Sequence, residues 1–296
     1  MRSVVLLDGG LGQELVRRSG DRPTPLWSTQ VMMDHPGLVR QLHADYFAAG
    51  ATVATTNSYA IHHDRLVKAG IDDRFGALYA QALAEAKAAR DAHGSGRIAG
   101  SIGPLVASYR PETHPPHDEA VARYAEIARI LGPEVDFILC ETVASLAHAR
   151  AILEGAGAAG KPVWLSVTVD DEDGRRLRSG EPVSGLGAVL DGAEVVLANC
   201  SAPEAMAAAL AELKRFGLPY GAFANAFREI TKEFLKDSPT TDALAARPEM
   251  TPARYADFAM DWVRGGASIV GGCCETGPGH IAEIARRLRE EGYQIT

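Results

Sequence analysis

Eight short apolar runs, most of them separated by a helical stretch, limit this chain to very few architectures. The runs are Val4–Leu7, Thr52–Thr56, Arg97–Ile102, Val135–Cys140, Val163–Val169, Val195–Asn199, Tyr220–Ala224 and Ala267–Val270. They are rich in apolar, often β-branched residues and nearly continuous, where a half-exposed strand would alternate apolar with polar. That is the pattern of parallel strands covered on both faces. Between them lie Ala-, Leu- and Glu-rich segments with helical spacing at 36–49, 72–92, 117–130, 144–156, 203–216, 252–264 and 278–291, with a short, weak one near 184–190. Pro203, Pro252 and Pro278 stand at first-turn positions, where the fixed φ of proline suits a helix.

Eight βα units within 296 residues predict an α/β chain folded as a (β/α)8 TIM barrel, which needs about 250 residues. An open dinucleotide-binding sheet is disfavoured, because Asp8-Gly9-Gly10-Leu11-Gly12 lacks the final glycine of the phosphate-binding turn. The expectation is one domain over 1–296. An irregular stretch at about 225–250 reads as an active-site loop or a subunit contact, which leaves a homo-oligomer open.

Composition removes several function classes. With 46% hydrophobic and 23% charged residues the chain can build a full core. The net charge of -8 comes with no Lys/Arg block, so nucleic acid is not expected as a partner. No run approaches the roughly 18 apolar residues of a membrane span, and the apolar start is too short for a signal peptide. The expected location is the cytoplasm. Four cysteines are too few to staple a chain of this length, and in a reducing compartment clustered cysteines point to metal or catalysis.

In a barrel, function gathers at the carboxyl ends of the strands. Those ends carry Asp8, Thr55-Thr56-Asn57-Ser58-Tyr59, Ser101, Glu141-Thr142, Asn199-Cys200, Asn225 and Cys273-Cys274. Adjacent residues of a strand face opposite ways, so both Cys273 and Cys274 reach one ion only if the strand has ended. Gly271-Gly272 before them and Gly277-Pro278 after them are expected to supply that break. Together with Cys200 they offer three sulfurs to Zn²⁺ and leave its fourth tetrahedral position open, as catalytic zinc sites do. Cys140, one residue before Glu141, should point outward into packing.

Three thiolates make a zinc ion a poor source of hydroxide and a good carrier of a substrate thiolate. A free thiol of pKa near 8.5 is only about 3% ionised at pH 7, and metal binding removes its proton. Asp8 and Glu141 suit the ammonium group of an amino-acid substrate. The amides of Gly9, Gly10 and Leu11, or hydroxyls such as Thr55 and Thr56, suit its carboxylate. Trp27 and Tyr59 offer aromatic faces to a methyl-bearing cation. His62-His63-Asp64 reads as surface or substrate loop, because neighbouring histidines diverge.

These segments together resemble the homocysteine S-methyltransferase family over nearly the whole chain. The likeness is carried by Leu7-Asp8-Gly9-Gly10-Leu11-Gly12, Leu26-Trp27-Ser28, His43 to Gly50, Thr55 to Tyr59, Ser101-Ile102-Gly103-Pro104, Cys140-Glu141-Thr142, Asn199-Cys200 and Gly271-Gly272-Cys273-Cys274. The resemblance implies a zinc-dependent barrel with the metal on Cys200, Cys273 and Cys274. It implies homocysteine binding by Asp8, Gly9, Gly10, Thr55, Glu141 and Asn199, with Trp27 and Tyr59 on the donor side. The implied reaction moves a methyl group from an onium donor to homocysteine, giving methionine. S-methylmethionine is the favoured donor, ahead of betaine and S-adenosylmethionine. Two positions depart from the family pattern, Glu275 after the cysteine pair and Phe227 after Asn225-Ala226. Two other classes compete with this reading. One is a zinc hydrolase with Glu141 or Glu275 as base, and the other is a non-enzymatic thiol or zinc sensor.

Overall fold

The computed structural model describes residues 2–227, 240 and 247–296. Most of the irregular stretch expected at 225–250 therefore lies outside the described residues. Eight parallel strands follow the chain: β1 Ser3–Leu6, β2 Val53–Thr55, β3 Arg97–Ile102, β4 Phe137–Val143, β5 Val163–Val167, β6 Val195–Asn199, β7 Tyr220–Ala224 and β8 Ile269–Gly272. Each pairs in parallel with its neighbour from β2 round to β8, and β8 pairs with β1. The Thr52 amide donates to the Leu6 carbonyl at 2.8 Å and brings β2 back beside β1. This is the (β/α)8 TIM-barrel arrangement that the alternating runs predict. An unanticipated ninth strand, β9 Gln294–Ile295, pairs with the opening residues of β1.

Ten α-helices surround the strands among the described residues: α1 Gly12–Ser19, α2 Ser28–Asp34, α3 Leu38–Ala49, α4 His63–Ala69, α5 Phe75–His93, α6 His117–Leu131, α7 Leu146–Ala156, α8 Pro203–Leu213, α9 Pro252–Arg264 and α10 Pro278–Glu290. The first-turn prolines open α8, α9 and α10 as expected. Side chains cap two helix starts, Ser145 accepting from the His148 amide at α7 and Thr251 accepting from the Arg254 amide at α9. The weak segment near 184–190 is a 3-10 helix, Val183–Ala188. Helices α1 and α2 were not anticipated, because they are only eight and seven residues long and too short to show a periodicity.

Two apolar layers follow from strand alternation. Leu7, Val53, Ala99, Phe137, Leu139, Trp164, Val195, Leu197, Phe223 and Ile269 fill the barrel interior. The other faces of the same strands, including Ile98, Ile138, Cys140 and Val196, pack on the helices in a second, larger core. Cys140 is thus an outward packing residue, as its place beside Glu141 predicts, and burial pushes its thiol well above the ordinary value. The interior is closed at its amino end by Arg97, whose guanidinium lies 5.6 Å and 5.5 Å from the Phe137 and Trp164 ring centres. One register further up, the inward positions turn polar, with Thr55, Ser101, Glu141 and Asn199. That change of side-chain type places the site at the carboxyl end.

Candidate active site

The strand ends enclose a cavity of about 130 Å³. It is lined by Asp8, Gly9, Gly10 and Gln13 on one side, Thr55, Glu141 and Ser101 at its floor, and Trp27, Tyr59 and Tyr109 as aromatic walls, with Cys200, Cys273 and Cys274 also present. The three cysteine sulfurs lie within 4.8 Å of one another. A tetrahedral ion with metal–sulfur bonds near 2.3 Å spaces its sulfurs about 3.8 Å apart, so the trio needs only a small closure to hold one soft divalent metal.

Local backbone geometry brings these sulfurs together. Strand β8 runs through Gly271 and Gly272 and ends there, so the glycines belong to the strand and are not the break expected of them. A Cβ at Gly272 would sit 2.1 Å from Thr276 Oγ1, and one at Gly271 would sit 2.6 Å from Leu7 Cβ. Close packing is therefore what requires glycine there. The break is the turn that follows, with Glu275 in the left-handed region at φ 61°, and it swings both cysteines to one side. Cys200 itself has φ 50°.

Strain is concentrated around this cavity. Six described non-glycine residues have left-handed φ: Trp27, Val106, Tyr109, Thr142, Cys200 and Glu275. Three of them line the cavity, and Thr142 and Glu275 each adjoin a residue that does. Such residues cost about 1–3 kcal/mol apiece and persist only where neighbours enforce them. Thr142 is β-branched, as Val106 is, which makes these conformations costly, and Thr142 coincides with the register shift of β4 against β5 between Cys140 and Val143. Asn199 enforces it. Its Oδ1 accepts from the Thr142 amide at 2.9 Å and from Ser166 Oγ at 2.8 Å, and its Nδ2 donates to Thr142 Oγ1 at 3.1 Å.

The structure thus puts Asn199 in a place different from the one the family resemblance implies. It is fully buried between β4, β5 and β6 and does not line the cavity, and its amide group is already used. Gly10 also departs from expectation. It lines the cavity, but its amide donates to the Thr276 carbonyl at 2.9 Å and is not available to a carboxylate. The loop lies so close to the cysteine turn that a Cβ at Gly10 would meet the Cys273 carbonyl oxygen at 2.4 Å.

Asp8 and Glu141 both line the cavity, and neither meets an arginine among the described residues. The Thr55 amide and hydroxyl each donate to Asp8 at 2.7 Å, and Ser101 Oγ donates to Glu141. Burial nevertheless dominates. It pushes Asp8 up to about 7 against the Thr55 hydrogen bonds. It pushes Glu141 up to about 8 against the Ser101 bond, with the Cys200 and Asp8 charges adding to the rise. Among the described residues no cation offsets either carboxyl in the cavity.

Burial opposes ionisation of Cys200, but hydrogen bonds from Cys273, Cys274, Tyr109 and Thr142 outweigh it and hold this thiol well below its usual range. Hydrogen bonding to that sulfur, together with burial, keeps Cys273 and Cys274 well above theirs. A divalent cation bound by all three sulfurs would require their thiolate forms.

Trp27 and Tyr59 are stacked with ring centres 6.0 Å apart, and Tyr59 Oη meets Ser108 Oγ at 2.7 Å. Tyr109 and Phe227 complete an apolar cluster around Cys200. Ser101, expected at the functional rim, is the residue that holds Glu141. Sequence reasoning missed Tyr109, which lies in an irregular loop with no marker of its role. His62 was expected at the surface or in a substrate loop, but it is buried, and only His63 is on the surface, bonded to Asp72 at 2.6 Å.

Residues 5–288 match the model of a family described as homocysteine S-methyltransferase. The chain belongs to the homocysteine S-methyltransferase family. It is 29% identical to the homocysteine S-methyltransferase of Escherichia coli K12, covering 97% of this chain and 96% of that one. It is 28% identical to the selenocysteine methyltransferase of Astragalus bisulcatus, covering 96% and 92%. Among solved structures, the metallated homocysteine methyltransferase MmuM of Escherichia coli superposes with a TM-score of 0.81 at 27% identity, covering 97% of this chain and 96% of that one. The apo form of that protein superposes at 0.73 with 26% identity and the same coverage.

Proposed function

We propose that the chain transfers a methyl group from a small onium donor to the thiolate of L-homocysteine, producing methionine, with zinc held by Cys200, Cys273 and Cys274. The observation that carries this reading is the meeting of three sulfurs within 4.8 Å in a cavity that also holds two charge-starved carboxyls and an aromatic pair. Each part fits one feature of the reactants.

When bound, a zinc ion with three thiolate ligands supplies an open position that holds a substrate thiol in its ionised form. The chain's own residues do the positioning. Asp8, clamped by Thr55, and Glu141, held by Ser101, take the substrate ammonium, and its charge draws both carboxyls into their ionised forms. The loop at Gly9 and Leu11 faces the substrate carboxylate. Trp27, Tyr59 and Tyr109 exclude water and present ring faces to the donor cation. The thiol proton leaves to solvent, a sulfur–carbon bond forms, and the carbon–onium bond breaks with its electron pair kept by the departing sulfide or amine. No charged leaving group is produced, so the site needs no general acid. Holding the two reactants in line is worth about 7–11 kcal/mol, against roughly 2 kcal/mol for ionising the thiol at neutral pH. Positioning is therefore the larger contribution.

S-methylmethionine is the first donor to assay, followed by betaine and S-adenosylmethionine. A reducing compartment such as the cytoplasm suits three free thiols. The test is methionine formation from homocysteine and each donor, with zinc-loaded wild type and Cys200→Ser. Turnover with at least one onium donor, lost in Cys200→Ser, is the expected result. No turnover with any donor in zinc-loaded protein overturns the assignment.

A further inference from the structure

His43 is a buried imidazole that the mechanism above does not use. It lies on α3 with no exposed surface, and neither ring nitrogen meets a hydrogen-bond partner among the described residues. A second buried histidine shows the contrast. His148 has its Nε2 2.9 Å from Tyr124 Oη, and its Nδ1 accepts from the Ala144 amide at 3.4 Å. Buried polar groups are nearly always paired, and one that is not calls for an explanation. For His43 the explanation lies at Nδ1, which is 4.0 Å from Oδ2 of Asp8. That is about 1 Å beyond a normal hydrogen bond, and bonds that serve a reaction are often long until substrate is in place. Asp8 has room for a further donor. Its carboxyl accepts from the Thr55 amide and hydroxyl, both at 2.7 Å, and an ionised carboxylate accepts about four hydrogen bonds. The face of α3 that carries His43 is already seated on the Asp8 loop. Tyr46, one turn further on, places its Oη 2.8 Å from the Gly10 carbonyl oxygen and 3.0 Å from that of Thr276. A Cβ at Gly9 would meet the Tyr46 ring at 2.8 Å.

We infer that His43 is a positioning residue for the substrate ammonium, its Nδ1–H closing onto Oδ2 of Asp8 and fixing that carboxylate from the side of α3. The inference rests on the methyl-transfer reading, in which Asp8 takes the ammonium, and deepens it by naming the residue that holds Asp8 in line. The chemistry of imidazole suits the task. Burial holds the ring neutral down to about 4, so it donates a hydrogen bond without bringing a charge. A lysine or arginine at this point would form an ion pair with Asp8 and compete with the ammonium. A leucine would fill the space but offer nothing to orient the carboxylate. The tautomer required carries its hydrogen on Nδ1, and it leaves the negative charge of Asp8 to the substrate.

The experiment uses ligand pairs that differ only in the amino group, with zinc-loaded protein throughout. L-homocysteine and 4-mercaptobutanoate are compared as methyl acceptors, and L-methionine and 4-(methylthio)butanoate are compared by calorimetry, which reads binding without turnover. The variants are His43→Leu, His43→Asn, Asp8→Asn and the double variant of His43→Leu with Asp8→Asn. His43→Met replaces the leucine variant if that one does not fold. Loss of one hydrogen bond to a charged group corresponds to about tenfold. His43→Leu should raise KM for homocysteine and Kd for L-methionine by that factor, with kcat nearly unchanged and both desamino ligands unaffected. His43→Asn, whose amide nitrogen stands near the place of Nδ1, should recover most of the loss. In the Asp8→Asn background His43→Leu should have no further effect. Equal losses for both members of a pair, or an undiminished loss without the Asp8 carboxylate, overturn the proposal. If wild type binds L-methionine no better than its desamino form, the ammonium site itself fails and this inference with it. If that preference exists and His43→Leu leaves it intact, the role of His43 alone fails.

Discussion

Asn199→Ala removes the brace that holds Thr142 in its left-handed conformation, and the structure sets the size of the effect. The wild-type side chain makes three buried hydrogen bonds, two to Thr142 and one to Ser166. The two hydroxyls can rotate towards other partners, but the Thr142 amide cannot, and an unmet buried donor costs about 1–3 kcal/mol. The truncated side chain also leaves a small cavity, adding about 1 kcal/mol. Thr142 is then free to release strain of about 1–3 kcal/mol, which offsets part of the loss but moves Glu141 away from Ser101. The expected net destabilisation is about 1 kcal/mol, which for a chain of this length is a fall in Tm of about 2 °C. KM for homocysteine should rise about tenfold, because Glu141 no longer aligns with the ammonium. Urea unfolding of the metal-free protein and steady-state kinetics of the zinc-loaded protein measure the two effects. A loss below about 0.5 kcal/mol with unchanged KM would refute the view that Asn199 shapes the site through Thr142.

Gly10→Ala should weaken metal binding at least tenfold in a chelator competition, because its Cβ would press on the Cys273 carbonyl oxygen at 2.4 Å and displace the cysteine turn. His43 is fully buried and held neutral down to about 4 by burial alone. Between that value and 6.5 the unfolded chain binds a proton that the folded chain does not, so this group costs stability as pH falls through the window. His43→Leu should therefore reduce the loss of unfolding free energy between pH 6.5 and pH 4 by up to about 3 kcal/mol, which urea titrations at the two pH values check. In the proposed reading Asp8 and Glu141 take the substrate ammonium in their ionised forms, and burial holds them at about 7 and about 8. Affinity for L-methionine, which lacks a titrating thiol, should tighten as pH rises from 6 to 8.5 with net proton release, seen by calorimetry in buffers of different ionisation heat. Asp8→Asn should remove the lower step.

The barrel was legible because strand and helix periodicities differ so clearly along this chain. β3, β6 and β7 begin and end where their apolar runs do. The cysteine trio was legible from the strand order, since β6 and β8 are separated only by β7. Backbone conformation was less visible. Nothing in Glu141-Thr142-Val143 announces a threonine with positive φ, because the cause is Asn199 on another strand. Gly10 and Asn199 look from sequence like ligand contacts, but their polar groups are used by Thr276 and Thr142, partners that only tertiary structure supplies. Gly271-Gly272 look like a strand break and prove to be strand residues kept small by Leu7 and Thr276.

Zinc K-edge X-ray absorption on the zinc-loaded protein, before and after addition of homocysteine, addresses the joint role of the three cysteines most directly. The expected spectrum has three sulfur neighbours at about 2.3 Å and one lighter atom, changing to four sulfurs when homocysteine is added. A zinc shell dominated by nitrogen and oxygen, or a sulfur count that homocysteine leaves unchanged, would contradict it.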